Sequence, residues 1–280
     1  MQNAIKKYFP LFALPTLAAF TIGFIVPFIM GIYLSFCKFT TVRDAKFVGL
    51  SNYMKIFTDA TFVHSLWYTA LFTIVSVILI NVLAFTIAML LTKGIRGTNV
   101  FRTVFFMPNL IGGIVLGYIW QLILNGILAH FGRTLVYNEK YGFWGLVILM
   151  CWQQVGYMMI IYIAGIQNIP GELIEAAKID GATSKQVLWN VTLPMVMPSI
   201  TVCTFLTLTN GFKLFDQNLA LTAGGPSDKS QMLALNIYDT FYARNGFEGV
   251  GQAKAVVFFI LVAIISIVQN KLATSKEVAS

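Results

Sequence analysis

The residues best equipped for chemistry in this sequence stand where polarity is costly. Gln153, Gln154 and Tyr157 interrupt a long apolar run, with Trp152 beside them. On a helix, Gln153 and Tyr157 are four residues apart and share a face. Amides and a phenol donate and accept hydrogen bonds and an indole offers a flat ring, a combination that suits an uncharged, hydroxyl-rich molecule. Further along, Asn210, Lys213 and Asp216 follow at three-residue steps, and Lys213 with Asp216 is placed to form an ion pair. Contact with a substrate and a lock between helices fit that trio equally well. Other chemistry has no residues to carry it. Cys37, Cys151 and Cys203 lie in or beside apolar runs and His64 and His130 stand far apart, so no metal, haem or thiol-redox spacing exists, and no catalytic set can be assembled.

These side chains need elements to hold them. Of 280 residues, 58% are hydrophobic and 11% charged, with mean hydropathy +0.77, against roughly 25% charged in soluble domains. So little polar surface excludes an ordinary soluble enzyme, a disordered chain and a disulfide-stapled domain. Lipid gives the backbone no hydrogen-bond partner, so the expected fold is an all-α integral membrane protein. Six transmembrane helices are expected, at 11–36, 66–91, 104–125, 143–167, 198–215 and 250–272. The fifth is flecked with Thr201, Thr204, Thr207, Thr209 and Asn210 and should face protein or water. In the sixth, Lys254 is expected to snorkel toward the interface.

An even number of spans leaves both termini on one side. The short-loop cluster Lys93, Arg96 and Arg102, with Lys6, Lys7 and Lys276, favours the cytoplasmic side for both. Pro15 and the unbroken run to Phe36 mark the first span as retained rather than cleaved. The net charge of +8 is expected to face anionic membrane lipid. No basic stripe with interleaved aromatics is present, so nucleic acid is not an expected partner.

The loop at 168–194, between spans four and five, reads as a helix-turn-helix. Pro170 suits a first helical turn, Glu172 complements the positive helix end, and Gly181 is a natural cap, giving a helix over Pro170 to Asp180. Leu173, Ala176, Ala177 and Asp180 share a small, apolar face that allows close approach. Thr183 with Gln186 matches a capping box, and Pro194 is expected to end the second helix. Glu172, Glu175 and Asp180 have no histidine, cysteine or glycine-rich phosphate cradle near them in sequence, so the loop reads as a docking element.

At these residues the chain resembles the permease subunits of binding-protein-dependent ABC importers: Glu175-Ala176-Ala177, then Asp180-Gly181-Ala182, then Leu193-Pro194 has the spacing of that family's coupling loop. Leu50-Ser51-Asn52-Tyr53, Phe105-Phe106-Met107-Pro108 and Thr222-Ala223-Gly224-Gly225-Pro226 are similar to the carbohydrate branch, near the maltose-type and glycerol-phosphate-type permeases. The resemblance covers nearly the whole chain as a single transmembrane domain over 1–280, in a compact six-span form without the extra N-terminal spans and large insertion of the enterobacterial maltose-type subunit.

The resemblance implies a permease of a prokaryotic cytoplasmic membrane, importing a carbohydrate, with an oligosaccharide favoured, by alternating access. Glu175, Ala176, Ala177, Asp180, Gly181, Ala182 and Pro194 would couple it to ATPases, and Asn109, Gln154, Tyr157 and Asn210 would meet the sugar. Its implied partners are a second, homologous permease, two ATPase subunits and an extracytoplasmic sugar-binding protein. ATP and Mg would be bound by the ATPases, since no Walker-type glycine loop occurs in this chain and no cofactor is expected in it. An ion-coupled secondary transporter with an intramembrane Lys213/Asp216 site is the alternative.

Overall fold

A computed structural model describes residues 2–274. Met1, Ser280 and Lys276, which enter the expectation about the termini, lie outside the described residues. Among the described residues the regular structure is helical apart from a hairpin of two-residue strands. In order it forms α1 (Gln2–Phe20), a π-helical turn (Thr21–Ile25), α2 (Val26–Ser35), β1 (Cys37–Lys38), β2 (Lys46–Phe47), α3 (Ser51–Thr58) and α4 (Ala60–Leu91). Then come α5 (Thr98–Phe106), α6 (Gly113–Ala129), α7 (Glu139–Gln167), α8 (Gly171–Ile179), α9 (Ser184–Val187), α10 (Leu193–Met195) and α11 (Met197–Phe212). The chain continues with α12 (Asp216–Leu221), α13 (Leu233–Tyr242) and α14 (Glu248–Thr274). Among the described residues, four helices are long and apolar enough to cross a membrane: Leu11–Ser35, Ala60–Leu91, Glu139–Gln167 and Glu248–Leu272. The number becomes six if each of two bent pairs is one span.

The bends correct two expected elements. The segment at 104–125 is not one helix, because α5 runs through a 3-10 turn (Met107–Leu110) and then meets α6 at 101°. Pro108 cannot donate to an α-helical ladder, and Ile111 and Gly112 are extended, so the chain turns there. Nor does Pro194 end its helix. Ser184–Met195 runs through a π-helical turn (Leu188–Thr192) and past Pro194, and the 68° bend comes at Val196, ahead of Pro198. The fifth segment, expected over 198–215, stops at Phe212 with Lys213 as its cap, and Asp216 opens a separate helix.

The chain divides into two compact units, Met1–Ala60 with Ile237–Ile260, and Thr61–Asn236 with Leu261–Ser280. In the first, β1 and β2 pair antiparallel with Cys37 opposite Phe47. Asn52 is buried and donates to the Ser35 and Cys37 carbonyls, both at 2.9 Å, which explains the asparagine of Leu50-Ser51-Asn52-Tyr53. Between the strands Asp44 Oδ1 accepts from the backbone N–H of Thr41 at 2.9 Å and Thr40 at 3.1 Å, and these donors hold its carboxyl below the usual carboxylate range. Lys254 does not snorkel as expected: it is fully buried and pairs with Asp59 at 2.8 Å, also donating to Thr240 Oγ1. An ammonium that finds a carboxylate and a hydroxyl inside the protein needs no route to the interface.

In the second unit α7 is the central helix, with two thirds of its most apolar stretch buried. Leu146, Leu149, Met158, Met159 and Tyr162 pack with Phe72 and Ile80 of α4 and Cys203 of α11. Hydrogen bonds fix the same three helices: Tyr162 donates to Asn81 Oδ1 at 2.7 Å, and Asn81 Nδ2 donates to Thr207 Oγ1 at 3.0 Å. Gly156 lets α5 lie directly on α7, because any Cβ there would overlap the Phe105 carbonyl. Gly156→Ala should therefore destabilise the fold by about 1–3 kcal/mol, the usual cost of overpacking. A lower melting temperature in detergent is the expected result, and an unchanged one would contradict this packing.

Candidate functional site

Two features of the second unit hold the candidate residues: a polar hollow among α7, α11 and α12, and the α8–α9 loop. The hollow measures about 250 Å³. Gln154, Asn210, Lys213 and Asp216 of the expected set line it, joined by Met150, Leu214, Phe215 and Gln217. Asn210 Nδ2 donates to Gln154 Oε1 at 3.2 Å, which links α7 to α11 across the hollow. Gln153 stands one bond behind: its Oε1 accepts from Gln217 Nε2 at 2.8 Å, and its own Nε2 donates to the Ile111 carbonyl at 3.4 Å, in the break between α5 and α6.

Three expected residues are elsewhere. Tyr157 is half-buried against Phe106, with ring centres 6.3 Å apart, and Asn109 sits half-buried in the 3-10 turn; neither lines the hollow. Trp152 packs edge-on against Trp120 at 5.6 Å and does not line the hollow. The expected Lys213–Asp216 ion pair does not form. The end of α11 at Phe212 turns Lys213 and Asp216 onto different elements, which breaks the helical spacing on which that expectation rested.

Gln217 and Asn218 escaped the sequence reasoning, although three polar residues in a row, Asp216-Gln217-Asn218, after an apolar segment are a readable signal. α12 reaches its place because Gly113 and Gly117, one turn apart on α6, leave room for Gln217 and Ala220. Asn218 is fully buried and organises the loop that follows. Its Nδ2 donates to the Ser230 carbonyl at 2.8 Å, and its Oδ1 accepts from the Met232 N–H at 2.9 Å. Ser230 and Thr222 hydroxyls are bonded at 2.9 Å, closing the loop that holds Gly224-Gly225-Pro226.

The α8–α9 loop is built by capping. Gly181 adopts φ +79°, a left-handed conformation that glycine takes without strain. This allows Ala182 N–H to reach the Ala177 carbonyl at 2.9 Å and Gly181 N–H to reach the Lys178 carbonyl at 3.1 Å, the paired bonds of a Schellman cap. The expected Pro170 to Asp180 helix is realised as Gly171–Ile179, with Pro170 and Asp180 as its caps. Thr183 N–H donates to Gln186 Oε1 at 2.8 Å, and Gln186 N–H to Thr183 Oγ1 at 3.4 Å, so the second helix starts with a capping box. Glu175 and Ala176 are exposed. So is Ile179, at 86%, with Leu173 and Trp189 also exposed. Ile179 thus leaves a large apolar side chain open on the loop helix.

Residues 85–276 match the family described as the binding-protein-dependent transport system inner membrane component. The chain belongs to that family. It is 46% identical over 276 residues to the probable starch degradation products transport system permease protein AmyD of Thermoanaerobacterium thermosulfurigenes, covering 96% of this chain and 94% of that one. It is 32% identical to the multiple sugar-binding transport system permease protein MsmF of Streptococcus mutans, covering 99% of each. Its fold is similar, at TM-score 0.83 and 19% identity over 98% of both chains, to a chain in the crystal structure of a bacterial ABC transporter involved in the import of the acidic polysaccharide alginate. The permease is thus a transport subunit and an inner membrane component, not an enzyme. Membership in a binding-protein-dependent family also displaces the ion-coupled alternative.

The permease's 222–231 loop hangs on Asn218. Asn218→Ala would strip partners from the buried Met232 N–H and Ser230 carbonyl, at about 1–3 kcal/mol for each group left unsatisfied. Faster deuterium exchange at Met232 and protease nicking within 222–231 are the expected outcomes, and wild-type exchange would contradict the role assigned to Asn218.

Proposed function

We propose that this permease carries a carbohydrate, with an oligosaccharide favoured, through the membrane, using ATP hydrolysed by separate subunits. The observation that carries the proposal is the pairing of a polar hollow rich in amides with a capped, apolar docking helix two bends away on the same stretch of chain. The names of the relatives, which transport starch degradation products or multiple sugars, support the cargo class.

In this reading each bent pair is one span, giving six, with both termini and the α8–α9 loop on the cytoplasmic side. Gln154, Asn210, Lys213 and Asp216 contact the sugar, and Gln153 positions Gln217. Tyr157 and Asn109 join the path in another conformation of the alternating-access cycle. Glu175, Ala176, Ala177, Asp180, Gly181 and Ala182 form the coupling element, and Pro194 belongs to the stiff connection from it to α11. Two ATPase subunits receive the coupling helices of this chain and of a second, homologous permease, and bind ATP and Mg. An extracytoplasmic sugar-binding protein delivers the cargo to the loop that includes Gly224-Gly225-Pro226.

Two substitutions separate docking from passage. Ile179→Asp should cut sugar uptake about tenfold or more, as expected for loss of an interface anchor worth about 2 kcal/mol, while the protein still inserts in the membrane. Gln154→Ala should weaken uptake without abolishing it, since one buried hydrogen bond is worth about 0.5–1.5 kcal/mol. Uptake assays on membranes with matched permease levels check both, and wild-type uptake in Ile179→Asp would refute the docking role.

A further inference from the structure

A second hollow, of about 710 Å³, opens between the first turns of α4 and those of α7, and the transport reading above gives it no role. Its two largest side chains are Trp67, 72% exposed, and Trp144, 52% exposed. Behind them Tyr68 and Phe143 meet edge-on at 5.6 Å, giving the hollow an aromatic floor. The Tyr68 hydroxyl is buried in this lining and has no hydrogen-bond partner. A buried hydroxyl without a partner is uncommon, because it forfeits its bonds to water.

The rim adds polarity without net charge. Glu139 and Lys140 stand side by side at the start of α7, so the site has no excess of either sign with which to select an ion. An anionic headgroup would meet the Glu139 carboxylate. His64 lines the same hollow, and one of its ring nitrogens, Nε2, lies 2.8 Å from the Lys229 carbonyl. A carbonyl only accepts, so Nε2 donates to it, and the second ring nitrogen, Nδ1, is left for another polar partner. Through this bond the hollow is tied to the 222–231 loop, where the adjacent Ser230 carbonyl is held by Asn218 on α12, next to Asp216 and Gln217 of the inner hollow. Flat indole faces, a donor and an acceptor of each kind, and a neutral rim together describe recognition of a hydroxyl-rich, uncharged ring.

We propose that this hollow is an outer carbohydrate subsite, in which Trp67 and Trp144 stack on a sugar ring while Tyr68, His64 and Glu139 bond its hydroxyls, ahead of transfer to the inner hollow. The proposal rests on the carbohydrate-importer reading and adds a site to it. The volume lies in the usual range of roughly 300–1,000 Å³ for small-molecule sites.

The test uses the assembled transporter in nanodiscs of phosphatidylcholine and phosphatidylglycerol, titrated with maltotriose and with arabinotriose. Tryptophan fluorescence and ATPase stimulation by the sugar-loaded binding protein are read in parallel. The expected result is a saturable fluorescence change whose half-saturation rises about tenfold in Trp67→Phe and in Trp144→Phe, the loss of one good stacking contact. Tyr68→Phe, which keeps the ring that packs the floor, should also weaken the change. If ATPase is stimulated but the fluorescence change is absent, or is the same in all three variants, the outer subsite is overturned and the importer reading stands. A change that follows the phosphatidylglycerol content and ignores sugar would make the hollow a lipid slot and overturn the proposal. If neither sugar stimulates ATPase or alters fluorescence, the importer reading falls and the subsite with it.

Discussion

Inside a bilayer a polar group has no water to bond, so each must be satisfied by another part of the chain or by cargo. Much of the second unit follows from that constraint. Asn81, Tyr162 and Thr207 bond one another and thereby tie α4, α7 and α11 into one body. Gln153 with Gln217 and Gln154 with Asn210 repeat the device, and in the second pair the bonded groups also line a hollow. These amides hold the helices in place and, in the proposed function, form the polar surface with which a hydroxyl-rich cargo would exchange bonds. Their strength, near that of an ordinary hydrogen bond, allows such exchange, which a buried ion pair such as Lys254–Asp59 does not.

The bends matter as much as the bonds. Pro108 and the extended Gly112 turn α5 from α6, and the glycines of α6 then admit α12 beside it. The turn at Val196 sends α11 away from the docking loop at 68°, so the segment between Thr183 and Phe212 is a cranked rod with a partner-facing surface at one end and the polar hollow at the other. In the proposed coupling, movement imposed at α8 would reach Asn210 through that rod. The tie between α4, α7 and α11 would resist independent shifts of these helices, which favours rigid-body rocking over local deformation.

Much of this was legible in the residues. The helix-turn-helix geometry of the α8–α9 loop was the clearest part, because Gly181, Thr183 and Gln186 are capping residues whose backbone consequences are local. Four of the six apolar runs were equally plain, while the bends at Ile111 and Val196 broke the other two. Less legible were the features set by tertiary contact. Lys254 looked like an interfacial lysine because its partner Asp59 lies 195 residues away. Asn210, Lys213 and Asp216 looked like one helical face because the stop at Phe212 has no proline or glycine directly at it, whereas Gly211 precedes it. Tyr157 and Trp152 were placed beside a sugar by helical spacing alone, and the packing of Phe106 and Trp120 against them was invisible at that level.

The central claim is that this chain is one permease of a larger, ATP-driven machine, coupled through α8. Affinity purification in mild detergent, followed by identification of the associated proteins and an ATPase assay, tests it most directly. The account predicts recovery of a second permease and an ATPase, with hydrolysis stimulated by sugar-loaded binding protein. Recovery of the chain alone as a stable homo-oligomer, with no ATPase attached, would contradict it.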